Sequence, residues 1–161
     1  MRHRRLPRVD LPSQTYTLTC CLDRRRRLLA DAELAEVLIA LWAEVRDRGD
    51  LALHGYVVMS GHYHVLLTLT GTPSISNIVR RVHGAFGRRA RTRWFRGRRV
   101  WQRRFYDHVV RDDGGWRTKL NYLDGNPVRA GLVESAADYP WSRAAFWETD
   151  TGPVTCDGVA W

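Results

Sequence analysis

The sequence predicts an α+β fold: a ferredoxin-like, split β-α-β antiparallel sheet with helices on one face and a further helix toward the C-terminus. Three observations predict it. The apolar period switches between two and 3.6 residues in the order β-α-β-β-α-β. Two strand-like runs, "LALHGYVVM" and "HVLLTLT", flank a Ser60-Gly61 step that leaves room for little but a tight hairpin. No repeat, low-complexity tract or linker separates a second unit, so residues 1–161 read as one domain. Its core runs over about 14–142, with a basic arm at 1–13 and a loose tail at 148–161.

"QTYTLTCC" (14–21) is β-branched and alternating, hence a strand, with Cys20 and Cys21 facing opposite sides. "DRRRR" follows as a solvated basic turn. From Asp31 to Asp47, apolar residues recur at Leu34, Val37, Leu38, Leu41, Trp42 and Val45, a helical stripe with Asp31 at its N-cap. Gly49-Asp50 closes it. After the hairpin, residues 74–94 carry Ile75, Ile78, Val79, Val82 and Phe86 on one helical face and arginines on the other. "RRVWQRRFYDHVVRD" predicts a strand pair, or one bent strand. A third helix is expected after Gly114-Gly115, ending near Gly125-Asn126-Pro127 because proline disfavours helix in the residue before it.

Composition narrows the partners. Lys and Arg number 26 against 17 Asp and Glu, a net charge of +9 with an isoelectric point near 10.3. Lys119 is the only lysine. A GC-rich coding sequence would explain the excess of Arg over Lys, but not the net charge. Arginine forks match phosphate and stack on bases, so this surface suits nucleic acid. Three cysteines form neither a disulfide framework nor a zinc spacing. The N-terminus leads into no signal-peptide core, and "LAEVLIALWAEV" is too short and too charged to span a bilayer. The expected setting is cytoplasmic and nucleoid-associated, with no membrane partner.

Candidate chemistry starts at His62 and His64. At i and i+2 on a strand they point to one face, where two imidazoles could share a metal ion or simply be exposed. Tyr63 points to the opposite face and is expected to pack beneath the sheet. Two histidines need a third donor from elsewhere. Tyr122 and Asn126 stand four apart on the third helix, so a phenol and an amide share one face. On spacing alone, a core tyrosine and a helix-end asparagine before Pro127 is the simpler account of that pair. His83 and His108 are weaker ligand candidates. Tyr106 is a rival nucleophile without an amide partner four residues on, and Trp141 is a packing anchor.

"GYVVMSGHYHVLLTL", "VWQRRFYDHVVRD" and "NYLDGNPVRAGLV…DYPWS", in this order, resemble the REP-associated tyrosine transposases of the single-tyrosine HUH superfamily, from about Thr15 to Ser142. The resemblance implies His62 and His64 as metal ligands, Tyr122 as nucleophile on a C-terminal catalytic helix, and Asn126 as the third ligand. It implies a divalent metal (Mg²⁺ or Mn²⁺), no nucleotide cofactor, and a monomer or homodimer. The implied activity is endonuclease and strand transfer on single-stranded DNA through a 5′-phosphotyrosine, near REP-type hairpins. An alternative is a catalytically silent hairpin ssDNA- or RNA-binding module of the same fold. The chain departs from the family pattern in having Tyr63 between the histidines, Gly61 before them, and Gly125 between Tyr122 and Asn126.

The basic, aromatic stretch after residue 80 suits a single strand, with arginines along phosphates and aromatics stacking bases. The expected DNA contacts are Arg24, Arg25, Arg80, Arg81, Arg88, Arg89, Trp94, Arg103 and Arg104. About half of Phe86, Trp94, Phe95, Trp101 and Phe105 are expected to be core rather than stacking surface.

Overall fold

In the computed structural model, which describes residues 13–91, 99–145 and 156–157, a four-stranded antiparallel sheet is built from β1 (Thr15–Cys21), β2 (Leu51–Met59), β3 (His62–Leu69) and β4 (Tyr106–Val110). The spatial order is β2-β3-β1-β4, the arrangement expected of a split β-α-β sheet. Helices α1 (Ala32–Asp47) and α2 (Ile75–Arg91) connect the strands, and α3 (Asp113–Asp124) and α4 (Asn126–Arg129) follow β4.

Alternation sorts the sheet into two unlike faces. Tyr16, Leu18, Cys20, Tyr56, Val58, Tyr63, Val65 and Leu67 join the α1 stripe and Ile75, Ile78, Val79, Val82 and Phe86 of α2 in the main core. The opposite face carries His62, His64 and Leu66 on β3 and Thr17 and Thr19 on β1. There α3 packs Leu120 and Leu123 against Val57, Met59 and Leu66. Two helices therefore cover one face, and the C-terminal helix covers part of the other.

β2 keeps apolar residues inside only by breaking its period. Its pairing to β3 shifts between Leu53 and Gly55, so Leu51 and Leu53 before the bulge share a face with Tyr56 and Val58 after it. The bulge leaves His54 bonded to Thr68 Oγ1 (2.8 Å) and to the Asp157 carbonyl (3.2 Å). Within the tail expected to be loose, Asp157 is docked here, its carboxylate accepting from Leu53 N at 2.7 Å. A Cβ on Gly55 would stand 2.8 Å from Leu120 Cδ1 and 3.1 Å from Arg143 Cδ, so the missing side chain is what lets α3 lie against the sheet.

Several boundaries differ from the sequence reading. Asp31 does cap α1, accepting from Leu34 N. Ser74 accepts from Asn77 N just before α2, which runs to Arg91, and the expected end at residue 94 lies outside the described residues. The third helix starts before its two glycines, because Asp112 caps it by accepting from Gly115 N at 2.6 Å. α3 ends at Asp124, capped by Gly125, as expected near the Asn-Pro step, but that step also opens the short helix α4. Proline lacks only a donor that the first turn does not use, and Gly125 keeps helical angles (φ −77°, ψ −6°) between the two helices. No strand pair forms in 99–110: Trp101 makes a single bridge to Leu22, and only β4 is a strand. Trp101 and Phe86 are buried and Phe105 packs on the core, so none of the three is a free base-stacking platform. Trp94 and Phe95 lie outside the described residues.

Two outcomes follow from this packing. Gly55→Ala should cost about 1–3 kcal/mol through overpacking, read as a lower urea midpoint with an unchanged m-value. Burial also pushes His54 below its ordinary pKa and His83 down to about 3. Between pH 6.5 and those lowered values the unfolded chain holds protons that the folded chain does not, so stability falls on acidification. For His83 the loss should be about 1.4 kcal/mol between pH 7.5 and 5.5, and His54 acts in the same direction. Urea midpoints across that range should flatten in His83→Gln relative to the parent.

Candidate active site

Strand geometry brings His62 and His64 side by side, their ring centroids 4.9 Å apart and their planes nearly perpendicular. His64 is buried, His62 only partly. Register places Thr19 of β1 directly opposite His64, and Thr19 Oγ1 lies 2.8 Å from His64 Nδ1. With Thr19 accepting from Nδ1–H, Nε2 keeps its lone pair, and this buried nitrogen has no hydrogen-bond partner among the described residues. Burial lowers the pKa of both imidazoles. The neighbouring Arg25 charge adds to the shift at His62, and the His62 and Arg129 charges help bring His64 to about 4. Both rings are thus neutral at physiological pH, the state in which imidazole donates to a metal.

Helix α3 carries Tyr122 over this pair. Its ring, half-exposed, sits edge-on to His64 at a centroid distance of 5.8 Å. Tyr63 lies on the other face, fully buried, its hydroxyl 2.9 Å from His83 Nε2. His83 in turn stacks on Trp101 at 4.1 Å, so it is a core residue remote from the pair. Tyr106 and His108 of β4 do share the histidine face, opposite Thr19 and Thr17 respectively, and both are exposed. They stand two strands away from β3, with β1 between.

Asn126 begins α4 one turn past Tyr122, and its Nδ2 donates to the Tyr122 carbonyl at 3.0 Å. That bond orients the amide and leaves Oδ1 without a partner among the described residues. Two neutral imidazoles and an amide oxygen form a mixed N/O donor set suited to Mn²⁺, Co²⁺ or Zn²⁺, and to Mg²⁺ when phosphate oxygens complete it. The orphaned Nε2 of His64 is what such an ion would satisfy. No group of three or more His, Cys, Asp or Glu side chains is placed to hold a metal among the described residues, so a third protein donor has to be of another type.

The arginines divide into two sets. Arg24 and Arg25 lie in the turn after β1, both with left-handed backbone (φ 55° and 49°), beside Gly61 at the His62 end of the sheet. Arg103 and Arg104, exposed, follow the segment in which Gln102 N donates to Cys21 O at the same end. Arg80, Arg81, Arg88 and Arg89 belong to the opposite side, lining with Arg48 a cleft of about 510 Å³ between α1 and α2. Two of them are engaged there, Arg81 with Asp50 (3.1 Å) and Arg89 with Glu44 (3.0 Å). The sheet separates this second set from Tyr122.

Comparison with known proteins places this geometry. A family model described as "Transposase IS200 like" matches residues 11–123. The chain belongs to the IS200-like transposase family. The match takes in both histidines and Tyr122 and stops short of Asn126. The REP-associated tyrosine transposase of Escherichia coli (strain K12) is 28% identical over 136 residues, 84% of this chain and 79% of that protein. A solved REP-associated tyrosine transposase bound to a REP hairpin superimposes with a TM-score of 0.73 at 26% identity, over 86% of this chain and 81% of the other. A Deinococcus radiodurans crystal structure shares the fold alone, with a TM-score of 0.52 at 22% identity over 75% and 96% of the two chains. The resemblance read from the sequence motifs is therefore borne out, as is the α+β antiparallel fold. No helix among the described residues is long and apolar enough to cross a membrane.

Two site residues escaped the sequence reading: Thr19, whose role depends on strand register, and Arg129, whose guanidinium lies over the Tyr122 ring. Helical spacing of seven could have flagged Arg129. If Thr19 sets the His64 tautomer, long-range ¹H–¹⁵N spectra at pH 7.5 should show His64 protonated at Nδ1 and bare at Nε2. Thr19→Val should mix the tautomers, whereas an unchanged spectrum would refute the assignment.

Proposed function

We propose that this chain is a metal-dependent single-stranded DNA endonuclease and strand transferase in which Tyr122 is the nucleophile. The observation that carries the reading is the exposed Tyr122 ring standing 5.8 Å from a buried histidine whose Nε2 is unsatisfied, on the sheet face that α1 and α2 leave uncovered. Membership of a transposase family supplies the reaction class. A relative of similar fold was solved on a REP hairpin, and we extend hairpin-bearing single-stranded DNA to this chain as its substrate.

His62, His64 and Asn126 Oδ1 would hold the divalent ion, which when bound supplies positive charge to the oxygens of the phosphodiester under attack. Tyr122 Oη forms a bond to phosphorus while the P–O3′ bond breaks. The phenol loses its proton to solvent or a neighbouring base, and the departing 3′ oxygen takes one up, giving a 5′-phosphotyrosine and a free 3′-OH. One ester replaces another, so a later 3′-OH can reverse the step and join strands without ATP. Thr19 keeps His64 in the tautomer with Nε2 available, and the Asn126–Tyr122 bond ties the amide to the nucleophile's own turn. Arg24, Arg25, Arg103 and Arg104, at the His62 end, are placed to follow the strand's phosphates.

The test is covalent capture. Labelled single-stranded hairpin DNA incubated with the protein and Mn²⁺ should yield an adduct that survives denaturing electrophoresis. Tyr122→Phe should abolish it, and His64→Ala should lower its rate at least about 100-fold. Tyr106→Phe should retain it. An adduct formed equally well by Tyr122→Phe removes the proposed nucleophile, and hairpin binding without any adduct favours the silent-module alternative.

A further inference from the structure

Arg129 occupies a position that the reaction described above does not yet use. Its guanidinium carbon lies 4.6 Å from the centroid of the Tyr122 ring, and Nη2 donates to the Tyr122 carbonyl. One side chain therefore holds both the ring and the backbone of the same residue. The residue is exposed, and a guanidinium has five N–H donors, of which only that one is engaged by the described residues. The remaining N–H groups sit beside the Tyr122 ring, where the proposed reaction would bring an anionic phosphodiester. Its charge also reaches His64.

Gly125 explains how the guanidinium comes to rest there. A Cβ at position 125 would stand 2.5 Å from Arg129 Nη1 and 3.4 Å from its Cζ, with the Asn121 carbonyl oxygen at 3.2 Å as the next contact. The backbone at Gly125 is right-handed helical (φ −77°, ψ −6°), so no conformational demand of its own calls for glycine. The absent side chain is the seat of the arginine. Gly125, which departs from the family pattern and costs helix propensity, gains a physical reason: it lets Arg129 lie across the α3–α4 junction onto the nucleophile.

We propose that Arg129, seated by Gly125, is the positioning residue for Tyr122 and the protein's own cationic contact to the phosphate that Tyr122 attacks. The proposal rests on Tyr122 being the nucleophile, as read above. A cation–π contact with a hydrogen bond to the same residue's carbonyl restricts the ring to the His64 side. The planar fork then offers paired donors to a phosphate's non-bridging oxygens, which a lysine cannot reproduce.

The test uses the full chain with Arg129→Met, Arg129→Lys, Gly125→Ala and the double variant Gly125→Ala/Arg129→Met. The first readout needs neither metal nor cleavage. In protein carrying 3-fluorotyrosine, the ¹⁹F resonance of Tyr122, assigned by its loss in Tyr122→Phe, should move in Arg129→Met and move in the same direction in Gly125→Ala. The double variant should lie close to Arg129→Met, because the alanine's shortest contact, 2.5 Å, is with an arginine that is no longer there. The second readout is adduct formation with labelled single-stranded hairpin DNA and Mn²⁺. Arg129→Met should lower its rate about 100-fold, Arg129→Lys should recover part of that loss, and thermal melting should be unchanged in each. An unmoved Tyr122 resonance in Arg129→Met, or additive effects of the two substitutions, overturns the positioning role. Unchanged cleavage by Arg129→Met, or no recovery by Arg129→Lys, overturns the phosphate contact. If wild type itself forms no adduct, the reading of the reaction fails, while the ¹⁹F comparison still decides whether Arg129 positions Tyr122.

Discussion

The two-residue period of β3 is the constraint on which the rest of the site depends. A strand cannot point adjacent side chains the same way, so His62 and His64 share one face while Tyr63 between them is sent to the other. That single rule makes Tyr63 a core residue locked against His83, Trp42 and Trp101. It also leaves the histidines on the face that α1 and α2 do not cover. The tyrosine proposed as nucleophile is carried by a different element, α3, the helix that lies on that face.

Placing Tyr122 beside His64 therefore depends on how α3 is held down. Leu120 and Leu123 anchor it to Val57, Met59 and Leu66, and Gly55 in the bulged strand gives it room. Asp124, two residues past Tyr122, pairs with Arg143 at 2.8 Å in a mostly buried ion pair. Arg143 itself follows a segment that closes the open edge of β2, where Val58 N donates to Trp141 O and Tyr139 Oη to Val58 O, both at 2.8 Å. Trp141 is thus an anchor through its backbone and through its side chain, which packs against both apolar clusters. The C-terminal segment acts as a clamp that ties the helix carrying Tyr122 to the sheet edge.

The positive charge has a geometry of its own. Arginines of the turn after β1 and of the approach to β4 gather at the His62 end, whereas those of α2 line a cleft on the far side of the sheet and are partly neutralised by Asp50 and Glu44. The sequence reading grouped these arginines as one set of expected DNA contacts. The sheet makes it two, because α2 must turn its apolar stripe to the core and hence its arginines outward, away from the histidines.

The sequence by itself determined whatever short-range periodicity controls. That covers the order of strands and helices, the capping of α1 by Asp31, the opposite facing of Tyr63 and the histidine pair, and the motifs that mark the family. It misjudged the start of α3, where one side-chain bond from Gly115 N to Asp112 sets the boundary, and missed that proline lets a further turn of helix begin at the Asn-Pro step. Only the tertiary structure decided what depends on partners far apart in the chain. It chose Thr19 as the neighbour of His64, put the α2 arginines behind the sheet, docked Asp157 at the bulge and laid Arg129 over Tyr122. The physical reason is range. Helical and strand periods are set by each residue's immediate neighbours. Register across strands and the seating of a helix on a sheet are set by packing among residues that only the folded chain brings together.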